Sequence, residues 1–240
     1  MSKENWMLKV FKTISLTLIL GVSMNACGTG NIKWKEEVLL HDGTKIVVER
    51  SLDYGGRHEI GQGAPIKEQE ITFTVPKSNK IFTFKSEYGE ELGRTNFYLL
   101  ALHILDDTPY IIAEPNLCLS YNKWGRPNPP YVIFRHDGKM WQRISIQQLP
   151  PEFKNINLVI EVKGEQKHIM AQSIVTLEIK KELNGKLTQY PQYQSILREA
   201  YAGAAGECEV MVRVKDGWVS SGGAKAPARI MLQSPSNVKN

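Results

Sequence analysis

The 240-residue sequence is poor in the residues from which linear catalytic signatures are built. It holds three cysteines and five histidines. No G-x-S-x-G, H-E-x-x-H, phosphate-loop or G-x-G-x-x-G run occurs, which removes the linear marks of a nucleophile elbow, a zinc protease and a nucleotide site. The glycine pair in "GQGAPI" (61–66) stands without the rest of any phosphate motif. No C-x-x-C is present, which argues against thioredoxin-like and zinc-type cysteine chemistry. His41, His58, His103, His136 and His168 are dispersed, with no two at ligand spacing on one element. No metal and no cofactor is therefore expected. His103 lies inside an apolar run and reads as a satisfied core residue. The net charge of +5 is too mild for a nucleic-acid footprint.

What is present begins with the first twenty-six residues. Lys3, Lys9 and Lys12 form a positive segment, and Ile14 to Val22 forms a short apolar run. Such a run falls below the roughly 20 residues a bilayer span needs and has the length of a signal-peptide core. Ala26-Cys27 closes the segment. In these residues the N-terminus resembles a bacterial lipoprotein signal, although Met24 and Asn25 depart from its usual aliphatic and small residues. The resemblance implies that residues 1–26 are removed and that the Cys27 thiol carries lipid. Several acyl chains together hold a protein on a membrane where one alone is marginal. Gly28 is not the aspartate that resembles an inner-membrane retention signal, so the expected address is the outer membrane, with the body facing the periplasm. Cleavage after Gly28, giving a soluble periplasmic protein, is the alternative.

Either cut takes Cys27 out of the pairing and leaves Cys118 and Cys208. In an oxidising compartment two cysteines most simply form one disulfide; two buried thiols are the alternative. Removing residues 1–26 takes away three lysines and one glutamate and leaves +3.

The body, residues 27–219, reads as a single β-rich domain, with 220–240 as a mobile tail in which 228–232 could form an edge strand. "ITFTV" (71–75) alternates apolar and polar residues, as a half-buried strand does. "PKSNK" then leads into "IFTFK" (81–85), a hairpin. Asp42-Gly43 and Asp137-Gly138 each join two apolar runs and predict two-residue type I′ turns. The repeated His-Asp-Gly is turn chemistry rather than a repeated site. Further strands are expected at 97–105, 109–120 (bulged or at an edge because of Pro115), 156–163, 172–180 and 208–215. Pro191 near a first turn, with Tyr193, Ile196, Leu197 and Tyr201 at helical spacing, predicts one late helix over about 191–202. The fold class is thus mainly β: an antiparallel sandwich or barrel-like sheet with one late helix.

Two loops carry the candidate chemistry. "SLDYGGRHEIGQGAP" (51–65) holds Asp53, His58 and Glu59 as acid–base groups and Arg57 as an anion ligand. "YNKWGRPNPP" (121–130) offers the flat faces of Tyr121 and Trp124 and the cations Lys123 and Arg126, a mixture suited to protein or glycan contact. For both loops the plainer expectation is structural: solvated charges in the first, a tryptophan folded under a corner in the second. The expected function is a lipid-anchored envelope protein that binds or scaffolds, with a protein or glycan partner and no nucleic acid. Whether it is an enzyme stays open, leaning against. The rival is an envelope hydrolase acting on cell-wall or polysaccharide material through loop carboxylates.

Overall fold

A computed structural model of the chain describes residues 30–215 and 217–221. The signal segment, Cys27 and the 228–232 edge strand lie outside the described residues. β1 (Asn31–Leu39), β2 (Lys45–Tyr54), β3 (Ile66–Thr74) and β4 (Ile81–Ser86) pair in sequence order as one antiparallel sheet. A two-stranded ribbon, β5 (Tyr88–Gly89) and β6 (Arg94–Thr95), follows. β7 (Phe97–Leu105) and β8 (Thr108–Pro115) begin a second antiparallel sheet. Helix α1 (Leu117–Lys123) comes next, and β9 (Val132–His136) and β10 (Trp141–Ile144) complete the sheet in the order β10-β9-β8-β7. Helices α2 (Val162–Met170) and α3 (Leu177–Gly185) precede a last ribbon, β11 (Met211–Val214) and β12 (Gly217–Ser220). The fold is mainly β with antiparallel sheets, as its alternation predicts.

The two large sheets meet in one apolar layer. Ile71, Phe73 and Phe84 from the first sheet and Phe97, Ile111 and Phe134 from the second belong to a single buried cluster. The predicted 71–85 hairpin forms, with Ile71 opposite Phe84 and Phe73 opposite Phe82. The second sheet is buried on both faces, because Leu100, Tyr110, Ile112, Ile133 and Phe153 form a separate cluster behind it. This is why β7 reads as the nearly continuous apolar run FYLLALHIL rather than alternating.

Several expected elements resolve differently. The Asp-Gly loops are longer than two residues. Leu39 pairs with Lys45 across the first and His136 with Trp141 across the second, and only Gly43 (φ 85°) and Gly138 (φ 96°) take left-handed backbone there. Asp42 and Asp137 instead accept bonds from backbone N–H groups just beyond the glycine, Thr44 in the first loop and Lys139 and Met140 in the second. The two-residue turn with positive φ at both positions is Asp106-Asp107 (48° and 60°), between the paired Leu105 and Thr108. The strand expected over 109–120 stops at Pro115, and residues 117–123 become α1. The 156–163 segment is not a strand. Asn157 bonds side-on to β7, accepting from Leu102 N–H and donating to Leu102 O, where the ladder shifts register between Leu99 and Ala101. Of the strand expected over 172–180, a single bridge survives, Val175 beside Glu36, before α3 begins. The expected 208–215 strand shortens to Met211–Val214.

The late helix over 191–202 does not form. Pro191–Tyr193 make one 3-10 turn, and the chain then runs as an irregular strap. Its backbone groups are claimed from outside: Ile196 N–H donates to Lys154 O, and the Tyr131 hydroxyl bonds Gln192 O and Ser195 O. Arg198 donates to the carbonyls of Leu149, Pro150 and Phe153. Tertiary hydrogen bonds satisfy the groups a helix would have paired internally.

Candidate functional site

Asp53 ends up on β2, accepting from Asn31 Nδ2 at 2.6 Å, and is not a loop residue. His58 and Glu59 are exposed. The His58 ring bonds its own loop at Gly56 O, and Glu59 accepts from Gln62. Arg57 is exposed and donates to Glu90 O. The loop is fastened by a close approach of two glycines: a Cβ on Gly56 would lie 2.4 Å from Gly93 O. Asp53, His58 and Glu59 are each held by separate local partners. Among the described residues no group of three or more His, Cys, Asp or Glu could hold a metal ion.

The 121–130 residues are turned inward or sideways. Trp124 is buried against Phe97 (ring centroids 4.6 Å apart) and within reach of Phe134. Lys123 is taken by Glu91 and by Asn96 Oδ1. The Arg126 guanidinium lies over the Tyr121 ring and donates to Cys208 O and Glu209 O. Lys123, Trp124 and Arg126 thus build the protein instead of facing a ligand. Tyr121 lines a cleft at the end of the second sheet.

The fastening of this region creates that cleft. Cys118 on α1 is joined to Cys208 by a disulfide, with Cα atoms 5.1 Å apart. Asn122 donates to Glu209 O and accepts from Met211 N–H. Asn128 exchanges two hydrogen bonds with the backbone of Tyr201. Together they press the 190–208 strap against the end of the second sheet. Between strap and sheet lies a cleft of about 360 Å³ lined by five tyrosines (98, 121, 190, 193 and 201), three prolines and the 203–206 glycine–alanine stretch. It falls in the usual size range of small-molecule sites.

Glu114 is the one charged side chain in this lining. It sits on β8 directly across from Tyr98 on β7, so both project from the same sheet face. Tyr110 and Ile112 share that face through the strand alternation and are buried beneath the middle of the strap side. Glu114 lies where this buried surface opens into the cleft. Its Oε2 accepts from the Tyr193 hydroxyl and its Oε1 from Gln192 Nε2 at 3.4 Å. Gln192 is positioned in turn by the Tyr201 hydroxyl, 2.8 Å from Gln192 Oε1. No cation pairs with Glu114 among the described residues. Burial therefore dominates: loss of water pushes the carboxyl up to about 7, against the smaller opposing effect of the two hydrogen bonds. Burial also raises the Tyr193 phenol, and the nearby Glu114 charge raises it further.

A second carboxylate lies deep in the fold. Glu36, on the inward face of β1 between Trp34 and Val38, is fully buried. Arg50 Nη1 lies 3.5 Å and Lys180 Nζ 3.8 Å from its Oε1, and Trp34 Nε1 and Val159 N–H also donate to it. Lys180 donates as well to the carbonyls of Glu37 and Asn157. This knot ties the first sheet to the 157–159 segment and α3, although Arg50 Nε is buried without a hydrogen-bond partner.

His103 is a core residue but is only half satisfied: its Nε2 bonds Asn155 O and its ring stacks on Phe153, while its buried Nδ1 has no hydrogen-bond partner. Burial lowers it to about 4, which keeps it neutral.

Sequence reading missed Glu114, Glu36 and the strap tyrosines. The signal for the two glutamates was available, since each is a carboxylate at an inward position of an apolar strand pattern, where an unpaired charge is costly. The spacing of Tyr193 and Tyr201 points instead to a helix face. Set against protein families, curated proteins and solved structures, the chain matches none of them.

Proposed function

We propose that this is a lipid-anchored cell-envelope protein, held through Cys27 at the outer membrane and facing the periplasm, that binds a ligand in the cleft around Glu114 without transforming it. The observation that carries the binding role is the cleft itself: five tyrosines and a single half-buried carboxyl, gathered between the sheet end, α1 and a strap that a disulfide and four side chains hold in place. Aromatic walls with a few convergent polar groups are the ordinary make-up of a small-ligand site. The anchor rests on the N-terminal residues, and the disulfide accords with an oxidising compartment.

The rival reading, a polysaccharide hydrolase, needs two carboxyl groups flanking the bond to be cut. Glu114 has no second carboxyl in the described lining of the cleft, so the arrangement suits binding better than hydrolysis. The partner class is a small molecule or an exposed group of an envelope protein or glycan.

Two experiments test the two parts separately. Cys27→Ser abolishes labelling by a fatty-acid probe and releases the body from membrane fractions; unchanged labelling ends the anchor. For the cleft, an envelope extract of small molecules and glycan fragments shifts the NMR signals of Tyr193 and Tyr201 in the Cys27→Ser chain, and Tyr201→Ala weakens that response without lowering stability by more than about 1 kcal/mol. Shifts confined to other parts of the protein contradict the assignment.

A further inference from the structure

The chemistry of the ligand can be taken further than the reading just given, on which this inference rests. We infer that the cleft binds an organic ammonium group, with Glu114 as its counter-ion and the tyrosine rings as its walls. Three observations support this class over a neutral or anionic one.

First, charge is one-sided. The chain carries 30 lysines and arginines against 25 acidic residues, yet the cleft lining contains no lysine, arginine or histidine and one carboxylate. The nearest cations border the cleft from outside its lining: Arg126 lies behind Tyr121 and is committed to Cys208 O and Glu209 O, and Arg94 acts on Tyr98, so an anionic ligand would meet the Glu114 charge first. Second, Glu114 has acceptor capacity to spare. A carboxylate offers about four lone-pair sites, and two are used, both by neutral donors. An arriving cation supplies the ion pair that the fold withholds. Third, the walls are aromatic. The Tyr190 and Tyr193 rings stand 5.4 Å apart with planes 61° apart, so they form a corner rather than a stack. Tyr190 is about half exposed at 45%, which leaves ring surface to receive a ligand. Aromatic faces attract ammonium groups, most strongly where water is excluded.

The groups around Glu114 give the site a defined pH response. Tyr98 on β7, Tyr121 on α1, Tyr131 before β9, and Tyr193 and Tyr201 on the strap are all shifted upward by burial and stay neutral through the physiological range. Tyr190 completes the phenols of the lining. Gln189 and Gln192 do not titrate. Glu114 is then the group in the cleft whose charge changes near pH 7, and a cation binds its ionised form. Affinity rises with pH, about tenfold between pH 6 and pH 8, as the competent fraction grows.

The test is calorimetric titration of the full chain carrying Cys27→Ser, with choline, with butylammonium and with 3,3-dimethylbutan-1-ol, the uncharged counterpart of choline. At pH 8 at least one ammonium probe binds at least tenfold more tightly than the alcohol. Glu114→Gln removes that preference, and Tyr190→Ala weakens choline several-fold. Circular dichroism and melting temperature check that each variant is folded. Equal binding of choline and the alcohol, or ammonium binding unaffected by Glu114→Gln, overturns the inference. Binding of neutral oligosaccharides with shifts at Tyr193 and Tyr201, while both ammonium probes fail, also overturns it but leaves the cleft as a binding site. No shift at those tyrosines with any of these probes or with the envelope extract overturns both.

Discussion

Glu36 and Glu114 both project inward from β-strands, yet they keep opposite company. Glu36 faces two cations, an indole N–H and a backbone N–H, and each of these also binds or packs elsewhere in the fold. Glu114 meets a phenol and a carboxamide, both neutral, at the mouth of an aromatic cleft. A buried carboxylate surrounded by cations is committed to architecture. One left with neutral donors retains an unmet demand for positive charge, and a ligand can meet it. The difference separates a structural knot from the proposed binding site in a molecule whose linear motifs give neither.

The comparison can be broken hardest at the knot. Glu36→Gln leaves Arg50 and Lys180 buried without a counter-charge, and removal of one partner from such a group typically destabilises by about 3 to 5 kcal/mol. Urea denaturation should show that loss; a change below about 1 kcal/mol would mean that the knot is not electrostatically coupled. Next is the staple of the cleft. Replacing Cys118 and Cys208 together by serine opens a closed loop of 90 residues in sequence separation, for a typical loss of about 2 to 4 kcal/mol. Faster amide exchange should concentrate in 201–211 and spare the knot; uniform exchange would show that the disulfide does not specifically hold the strap.

Glu114 itself should act in the other direction. Its carboxyl is raised from 4.5 to about 7 in the fold, so the native state holds the proton more tightly than the unfolded chain. The resulting stability is fully present below about pH 4.5 and is lost as pH rises through about 7. Glu114→Gln is expected to match the parent at pH 4 and to exceed it at pH 8 by up to about 3 kcal/mol. Taking the difference between the two proteins cancels His103, whose lowered value works oppositely, withdrawing stability as pH falls from about 6.5 toward 4. A variant that is less stable than the parent at pH 8 would show that Glu114 is satisfied after all. The smallest effect belongs to the loop. His58→Ala and Glu59→Ala, at exposed positions, should each change stability by less than about 0.5 kcal/mol and leave ligand binding in the cleft unaltered.

How far the sequence could be read follows from which interactions are local. Period-two alternation in "ITFTV" and "IFTFK" fixed a hairpin because each residue's face is set by its neighbours in the chain. The disulfide was legible from the cysteine number together with the expected oxidising compartment. The late helix was not: Tyr193, Ile196, Leu197 and Tyr201 have helical spacing, but Tyr131 and Lys154 capture the strap's backbone from far away in sequence, and the Arg198 side chain ties the strap to the carbonyls of residues 149–153. The same holds for the 121–130 loop. Trp124 and Arg126 stood out by composition, whereas the use of Asn122, Arg126 and Asn128 as fasteners for residues 201–211 depends on partners about 80 positions distant. The cleft has no linear signature because Glu114, Tyr121 and Tyr193 converge only when the strap crosses the sheet end.

The central claim, that Glu114 is an uncompensated carboxyl awaiting a cation, is tested most directly by following its side-chain carboxyl carbon by NMR across pH. The expected result is a midpoint near 7 in the free protein that falls when a saturating ammonium probe is added. A midpoint near the ordinary glutamate value of about 4.3, unmoved by the probe, would contradict it.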